Sequence, residues 1–252
     1  MKIIDSFSGG KDSTCMVLEK IRRKERTDEV VFFDTGWEFP QMYDHVEKIK
    51  KIVENAGIKF TTLKPEVSFD DLMFHVPVKN GEHYGYSWCG LKGCRWGTTF
   101  KLRTIDKYFR NEPEHVQCVG IAADEIQRLE KERKGNKRFP LAEWGFTEKE
   151  CLEYCYRLGF DWGGLYEKLD RVSCKFCALK NLKELRNIYF EMPETWNELQ
   201  NYQLRTPFPY RSNGETIFDL EERFELEKEF KSCGKSVRSK EFYEELKRRC
   251  KP

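Results

Sequence analysis

Short apolar runs alternate with longer stretches in which apolar residues return every three or four positions, and this alternation predicts the fold. Lys2-Ile3-Ile4 leads a first strand, and Val17, Leu18 and Ile21 continue a helix that ends in the basic run Arg22 to Arg26. Glu29-Val30-Val31-Phe32-Phe33-Asp34 predicts a second strand, apolar enough for burial on both faces. A helix over about 41–56 places Val46, Ile49 and Val53 on one face, and Ile58 to Leu63 predicts a third strand. Residues 69–101 crowd glycines and aromatics and predict a loop-rich excursion. A helix over 100–109, a fourth strand over Val116 to Ile121 and a charged loop or solvated helix over Leu129 to Arg138 follow. Thr147-Glu148-Lys149-Glu150 has the capping-box pattern of a helix start, and the chain beyond Arg171 is mostly helical in pattern.

Strands alternating with helices predict an α/β fold, a doubly wound parallel sheet with right-handed crossovers and helices on both faces. The expected division is an α/β domain over 1–170, with a loop-rich insertion at about 70–100, and a Cys-x-x-Cys segment with a helical region over 171–252. In such sheets ligands bind at the carboxyl ends of the strands.

Composition narrows the classes. Charged residues make up 35% and aromatics 14%, with a net charge of +2, so nothing demands a polyanionic partner. No apolar run approaches the roughly 20 residues of a membrane span. The N-terminal stretch reads as a strand rather than a signal peptide, which makes the cytoplasm the expected location. In a reducing compartment, ten cysteines point to metal ligands, redox groups or buried thiols rather than a disulfide frame.

The chemistry begins at Ser8-Gly9-Gly10-Lys11-Asp12-Ser13, between the first strand and its helix. Glycines let the backbone turn tightly and approach an anion, the helix N-terminus supplies N–H groups, and Lys11 supplies charge. The spacing is neither a Walker loop nor Gly-x-Gly-x-x-Gly. It matches the Ser-Gly-Gly-x-Asp-Ser loop of the ATP-pyrophosphatase, or adenine-nucleotide alpha-hydrolase-like, superfamily. Together with Asp34-Thr35-Gly36-x-x-Phe39-Pro40 and Gly120-Ile121-Ala122-Ala123-Asp124-Glu125-x-x-Arg128, it resembles the phosphoadenosine phosphosulfate reductase family over roughly residues 1–190.

That resemblance implies a sheet with an adenine nucleotide at its C-terminal edge. Ser8, Gly9, Gly10, Lys11, Asp12 and Ser13 would hold phosphate, and Asp34, Thr35 and Gly36 would lie near the adenosine. Arg128 would contact an anion, while Lys101 and Arg103 would face acidic groups of the substrate. Sulfite-forming members share a C-terminal Glu-Cys-Gly-Leu-His whose cysteine attacks sulfur. Here Ser232-Cys233-Gly234-Lys235 keeps only Cys-Gly, with Lys231 and Lys235 available to lower the Cys233 pKa.

Cys89 with Cys94, and Cys174 with Cys177, form two short-spaced pairs that a fold can unite into a four-thiolate site. Zinc and a [4Fe–4S] cluster both accept such ligands, and some relatives in the family carry the cluster. A redox-active pair at Cys174 and Cys177 is a competing reading. Cys15, Cys118, Cys151 and Cys155 are expected to be buried thiols. The stretches Trp144-Gly145-Phe146 and Phe160-Asp161-Trp162-Gly163-Gly164-Leu165 are expected to be core packing rather than a base-stacking platform.

The resemblance therefore implies an enzyme acting on an adenine nucleotide, either ATP or phosphoadenosine phosphosulfate. With ATP and Mg²⁺, it would adenylate an acceptor such as a nucleic-acid base for thiolation. With the phosphosulfate, a thiolate would reduce sulfur and draw on a reductant such as thioredoxin. A non-catalytic nucleotide-binding module with structural zinc is the alternative from another class.

Overall fold

A computed structural model describes residues 1–88, 99–112, 114–132 and 135–250. In chain order the elements are β1 (Lys2–Phe7), α1 (Lys11–Arg23), β2 (Glu29–Phe33), α2 (Pro40–Asn55), β3 (Lys59–Leu63) and α3 (Phe69–Phe74). Then come β4 (Pro77–Val78), β5 (His83–Tyr84), α4 (Lys101–Arg110), β6 (His115–Val119), α5 (Ile126–Glu132), β7 (Lys137–Arg138) and α6 (Pro140–Glu143). The chain closes with α7 (Glu148–Arg157), α8 (Leu165–Lys168), α9 (Leu182–Glu191), α10 (Pro193–Leu204), α11 (Ile217–Ser232) and α12 (Lys240–Arg249).

The chain divides into two compact units. The first holds Met1–Ser68, the segment from the start of α4 to Glu167, and Arg171–Cys174. Its sheet is parallel throughout, with strand order β3-β2-β1-β6-β7. The order reverses between β1 and β6, which is where an open α/β sheet leaves a crevice for a ligand. Ser6 sits opposite Val31 on one side and Val119 on the other, so β1, β2 and β6 end level with one another. The loops beginning at Ser8, Asp34 and Gly120 thus leave the same edge.

Burial follows the apolar pattern. Every residue of β2 is buried, and Ile4 and Val31 pack with Phe109 of α4. Charges also lie inside this core, Glu29 among them. The Glu29 carboxylate is held by the Lys2 ammonium at 2.6 Å, Lys59 at 2.8 Å and the Tyr108 hydroxyl at 2.6 Å. Burial alone would raise its pKa, yet these partners hold it at about 2. The charged stretch after Leu129 forms the end of α5 and then an edge strand, β7, paired through Gln117 with Lys137 and Cys118 with Arg138.

The second unit contains α3, the antiparallel pair β4 and β5, Lys168–Asp170 and the chain from Lys175 on. The segment expected to be loop thus contributes a helix and a small hairpin. In the C-terminal part, Leu226 and Phe230 of α11 pack with Phe242 and Leu246 of α12.

Candidate nucleotide site

The loop between β1 and α1 is fixed by its own side chains. Ser8 donates its N–H to Ser13 Oγ at 3.1 Å, and Ser13 Oγ donates to the Gly10 carbonyl at 3.0 Å. With that proton committed, the Ser8 hydroxyl is the donor in the 3.0 Å contact between the two hydroxyls. Gly9 has a φ of +80°, and a Cβ there would lie 2.5 Å from Met42 Sδ, so conformation and space both require glycine.

Helix α1 opens without a side-chain cap, its first helical bond running from Thr14 N–H to the Gly10 carbonyl. The N–H groups of Gly9, Gly10, Asp12 and Ser13 take no protein acceptor among the described residues. Unbonded amides at the positive end of a 13-residue helix are the kind of arrangement that favours an anion. Gly120, just past β6, lets the neighbouring strand reach this helix end. A Cβ on it would stand 2.9 Å from both Cα and N of Ser13, which are backbone atoms that cannot swing aside.

Lys11 is already engaged. Its ammonium lies 2.7 and 3.0 Å from the two Asp12 carboxylate oxygens and 2.8 Å from Glu148 Oε1. Burial lowers the Lys11 pKa, but Asp12 and Glu148 outweigh it and keep the amine above its ordinary value. Glu148 is set in place by the start of α7, where Thr147 and Glu150 form the expected capping box. Asp124, from the third loop, accepts the Glu148 N–H at 3.0 Å.

The other assigned residues occupy distinct positions. Asp34 accepts from Gly36 N–H and from the Tyr43 hydroxyl, both at 2.8 Å, which shapes the loop after β2. Thr35 donates to Glu38 at 2.7 Å. Lys101 stands 5.7 Å from the ring of Phe33, the residue before Asp34, and Arg103 lies over the Phe100 ring at 5.5 Å. Arg128 is ion-paired with Glu125 at 2.9 Å, and Glu125 also accepts the Ala122 N–H. No hydrogen bond or ion pair joins Lys101, Arg103 or Arg128 to Ser8–Ser13 among the described residues.

Cys174 lies in the first unit, half-buried, with Sγ 3.9 Å from both Thr35 Oγ1 and Glu38 Oε1. It therefore touches the loop that resemblance places near the adenosine. Cys177 belongs to the second unit, where its carbonyl accepts from the Tyr210 hydroxyl at 2.7 Å. Neither is in a disulfide among the described residues, and Cys89 and Cys94 lie outside them. Among the described residues no three ligand side chains gather as a metal site. Cys233 is exposed at the C-cap of α11. Gly234 follows with φ +68°, and Lys235 N–H returns to the Phe230 carbonyl at 2.8 Å. That is the bond pattern of a glycine-terminated helix, and it accounts for Gly234 structurally.

The model of the phosphoadenosine phosphosulfate reductase domain matches residues 2–234. The chain belongs to this family. Curated relatives of the family member include two uncharacterized proteins of Methanocaldococcus jannaschii, MJ0066 and MJ0973. Each is 26% identical, over 79% and 77% of this chain and 41% and 45% of their own lengths. The chain thus spans less than half of either. The uncharacterized nin region protein ORF290 of Escherichia phage lambda is 28% identical over 71% of this chain and 67% of its own. Among solved structures, the U34-tRNA thiolase NcsA of Methanococcus maripaludis, determined with its [4Fe-4S] cluster, matches with a TM-score of 0.46. The match has 14% identity, over 89% of this chain and 71% of that one. A likeness this distant carries neither substrate nor cofactor across.

Several residues that build the family loop escape a sequence reading. Trp162 is buried as expected, but its indole N–H donates to the Gly9 carbonyl at 2.7 Å. The Tyr166 hydroxyl accepts the Lys11 N–H at 2.8 Å. His45 of α2 lies against the Trp162 ring at 4.5 Å and shares a 2.9 Å hydrogen bond with the Thr14 hydroxyl. Glu148 read only as part of a helix start. These contacts span 31 to 155 positions, so local pattern carries no trace of them.

His45 gives the fold a pH dependence. Burial, reinforced by Lys48, lowers its pKa from 6.5 to about 4 against a weaker opposing effect of Asp161. Above about pH 6.5 neither the folded nor the unfolded chain protonates this ring, and its contribution is flat. Between 6.5 and 4 the unfolded chain takes up a proton that the native state refuses, so stability falls by up to about 3 kcal/mol and then levels. His45→Gln should flatten that part of a urea-denaturation series between pH 7 and 4. An unchanged slope would remove His45 as its source.

Proposed function

We propose that the chain is an adenine-nucleotide-dependent sulfur-transfer enzyme that uses ATP to activate its acceptor. An acceptor oxygen attacks the α-phosphorus, the α–β bond breaks and pyrophosphate leaves. A sulfur nucleophile then displaces AMP from the adenylated acceptor. The α1 N-terminus and Lys11 would stabilise the charge that gathers on pyrophosphate, and Mg²⁺ would share it. A nucleic-acid base fits the acceptor role as a carbonyl that must be activated before thiolation.

The observation that carries the reading is the position of Cys174, its sulfur within 3.9 Å of the Thr35 hydroxyl in the nucleotide loop. Sulfur chemistry and nucleotide would thereby share one edge of the sheet. The departure of Ser232-Cys233-Gly234-Lys235 from the Glu-Cys-Gly-Leu-His segment favours ATP over phosphosulfate reduction, and the glycine that remains has a helix-ending role of its own. Cys174 and Cys177, two half-buried thiols, would suit iron–sulfur or zinc ligation, and Cys89 and Cys94 are the sequence's candidates for the remaining ligands. Such a cluster would supply or hold the sulfur.

Anaerobically purified protein should release pyrophosphate from ATP and Mg²⁺ when tRNA or DNA is added, and Cys174→Ala should lose the bound metal. Sulfite released from phosphoadenosine phosphosulfate with thioredoxin, and no pyrophosphate from ATP, would replace this reading with the reductase. Pyrophosphate release with Cys174→Ala retaining all metal would leave the adenylation but remove the cluster ligand.

A further inference from the structure

We infer that Tyr166 is a ligand of the nucleotide's pyrophosphate oxygens and completes the phosphate loop from 155 residues away. The inference rests on the nucleotide reading above and adds a residue and a role to it.

Five N–H groups, from Gly9 to Ser13, sit at the start of α1. Four are turned to no protein acceptor, but that of Lys11 donates to the Tyr166 hydroxyl at 2.8 Å. A phenol oxygen accepts and donates at once. Having accepted from Lys11, it keeps its own proton to give, and that proton has no acceptor among the described residues. The hydroxyl thus converts one backbone donor into another and adds to the unbonded amides.

The ring is braced for this task. Trp162 and Tyr166 lie four positions apart, meet edge to face at 4.9 Å, and grip adjacent parts of the loop. Trp162 holds the Gly9 carbonyl at 2.7 Å, while Tyr166 holds the Lys11 amide. Burial raises the phenol pKa well above its ordinary value, which keeps the proton on the oxygen at any physiological pH. A structural tyrosine would satisfy the Lys11 amide with its oxygen alone. A hydroxyl among unbonded donors at a helix N-terminus has an anion as its natural acceptor.

Calorimetry on the full chain, with ATP, inorganic pyrophosphate and adenosine as separate ligands, tests this. Tyr166→Phe should weaken ATP and pyrophosphate by about tenfold or more, the worth of one hydrogen bond to a charged oxygen. Adenosine should bind as before. Equal pyrophosphate binding by wild type and Tyr166→Phe would overturn the assignment, as would a parallel loss of adenosine, which marks a structural role. Wild-type protein that binds neither ATP nor pyrophosphate would instead overturn the nucleotide reading beneath it. Should the variant not fold, wild-type protein labelled with ¹³C at tyrosine Cζ decides. One resonance shifting with pyrophosphate and not with adenosine supports the ligand, and none shifting overturns it.

Discussion

Lys11→Ala is expected to lower any ATP-dependent turnover by about 10²–10³-fold, the usual effect of removing a donor from a developing oxyanion, and to weaken pyrophosphate and ATP binding by about tenfold or more. The geometry makes the loss larger than that of one cation. In the free protein the Lys11 ammonium bridges the Asp12 and Glu148 carboxylates at 2.7 and 2.8 Å. Without it, two carboxylates stand at the helix end that must receive a polyanion, and both repel it. The expectation therefore extends to a double variant. Lys11→Ala with Glu148→Gln should bind pyrophosphate several-fold better than Lys11→Ala alone, because one of the repelling charges has gone. The gap between single and double variants should shrink as salt rises, since the remaining effect is Coulombic and partly screened. Calorimetry at two salt concentrations measures both. Lys11→Ala binding within threefold of wild type would show that the ammonium stays with Asp12 and Glu148 when the anion arrives.

The parts of this site legible in the sequence share one property, that their signal is local. Gly9 and Gly10 between an apolar run and a helical pattern can be read because a tight turn and close backbone approach require those residues in consecutive positions. Strand β2 is legible because burial on both faces needs an unbroken apolar run, as Val30 to Phe33 provide. Strand β7 carries no such signal. It is two basic residues long, lies at the sheet edge, and is defined only by its pairing with Gln117 and Cys118. The clamp on the phosphate loop was hidden for a different reason. Trp162, Tyr166 and His45 are residue types that pack in cores, and they do pack here. Their polar atoms, which distinguish shaping a loop from filling space, find partners only through the tertiary fold.

Lys20→Met carries the second large expectation, a loss of about 3–5 kcal/mol of stability, the cost of breaking a buried ion pair from one side. Lys20 of α1 and Asp5 of β1 meet at 2.5 Å, each side chain only 1% exposed. Thr27 donates to the second Asp5 oxygen at 3.1 Å, and Cys118 lies 3.4 Å from the ammonium, its thiol pushed up to about 12 chiefly by burial. Burial drives the Asp5 pKa upward while Lys20 opposes it, so removing the lysine leaves the burial effect unbalanced. In Lys20→Met the native carboxyl would hold its proton to higher pH than the unfolded chain does. The variant's deficit is then smallest in acid and grows as pH rises through the native pKa of Asp5. Urea denaturation of Lys20→Met across pH 4 to 8 reads that trend directly. A second substitution, Asp5→Leu, should return most of the loss, because an apolar pair of similar volume carries no desolvation cost. The pair joins β1 to α1, the helix whose N-terminus carries the Ser8–Ser13 loop, yet it lies away from that loop. Ser13, Gly120, Trp162 and Tyr166 fix the loop itself, so the double variant should bind pyrophosphate with nearly wild-type affinity. Weak binding by a stable double variant would show that the buried charges set the height of the helix end as well as its stability.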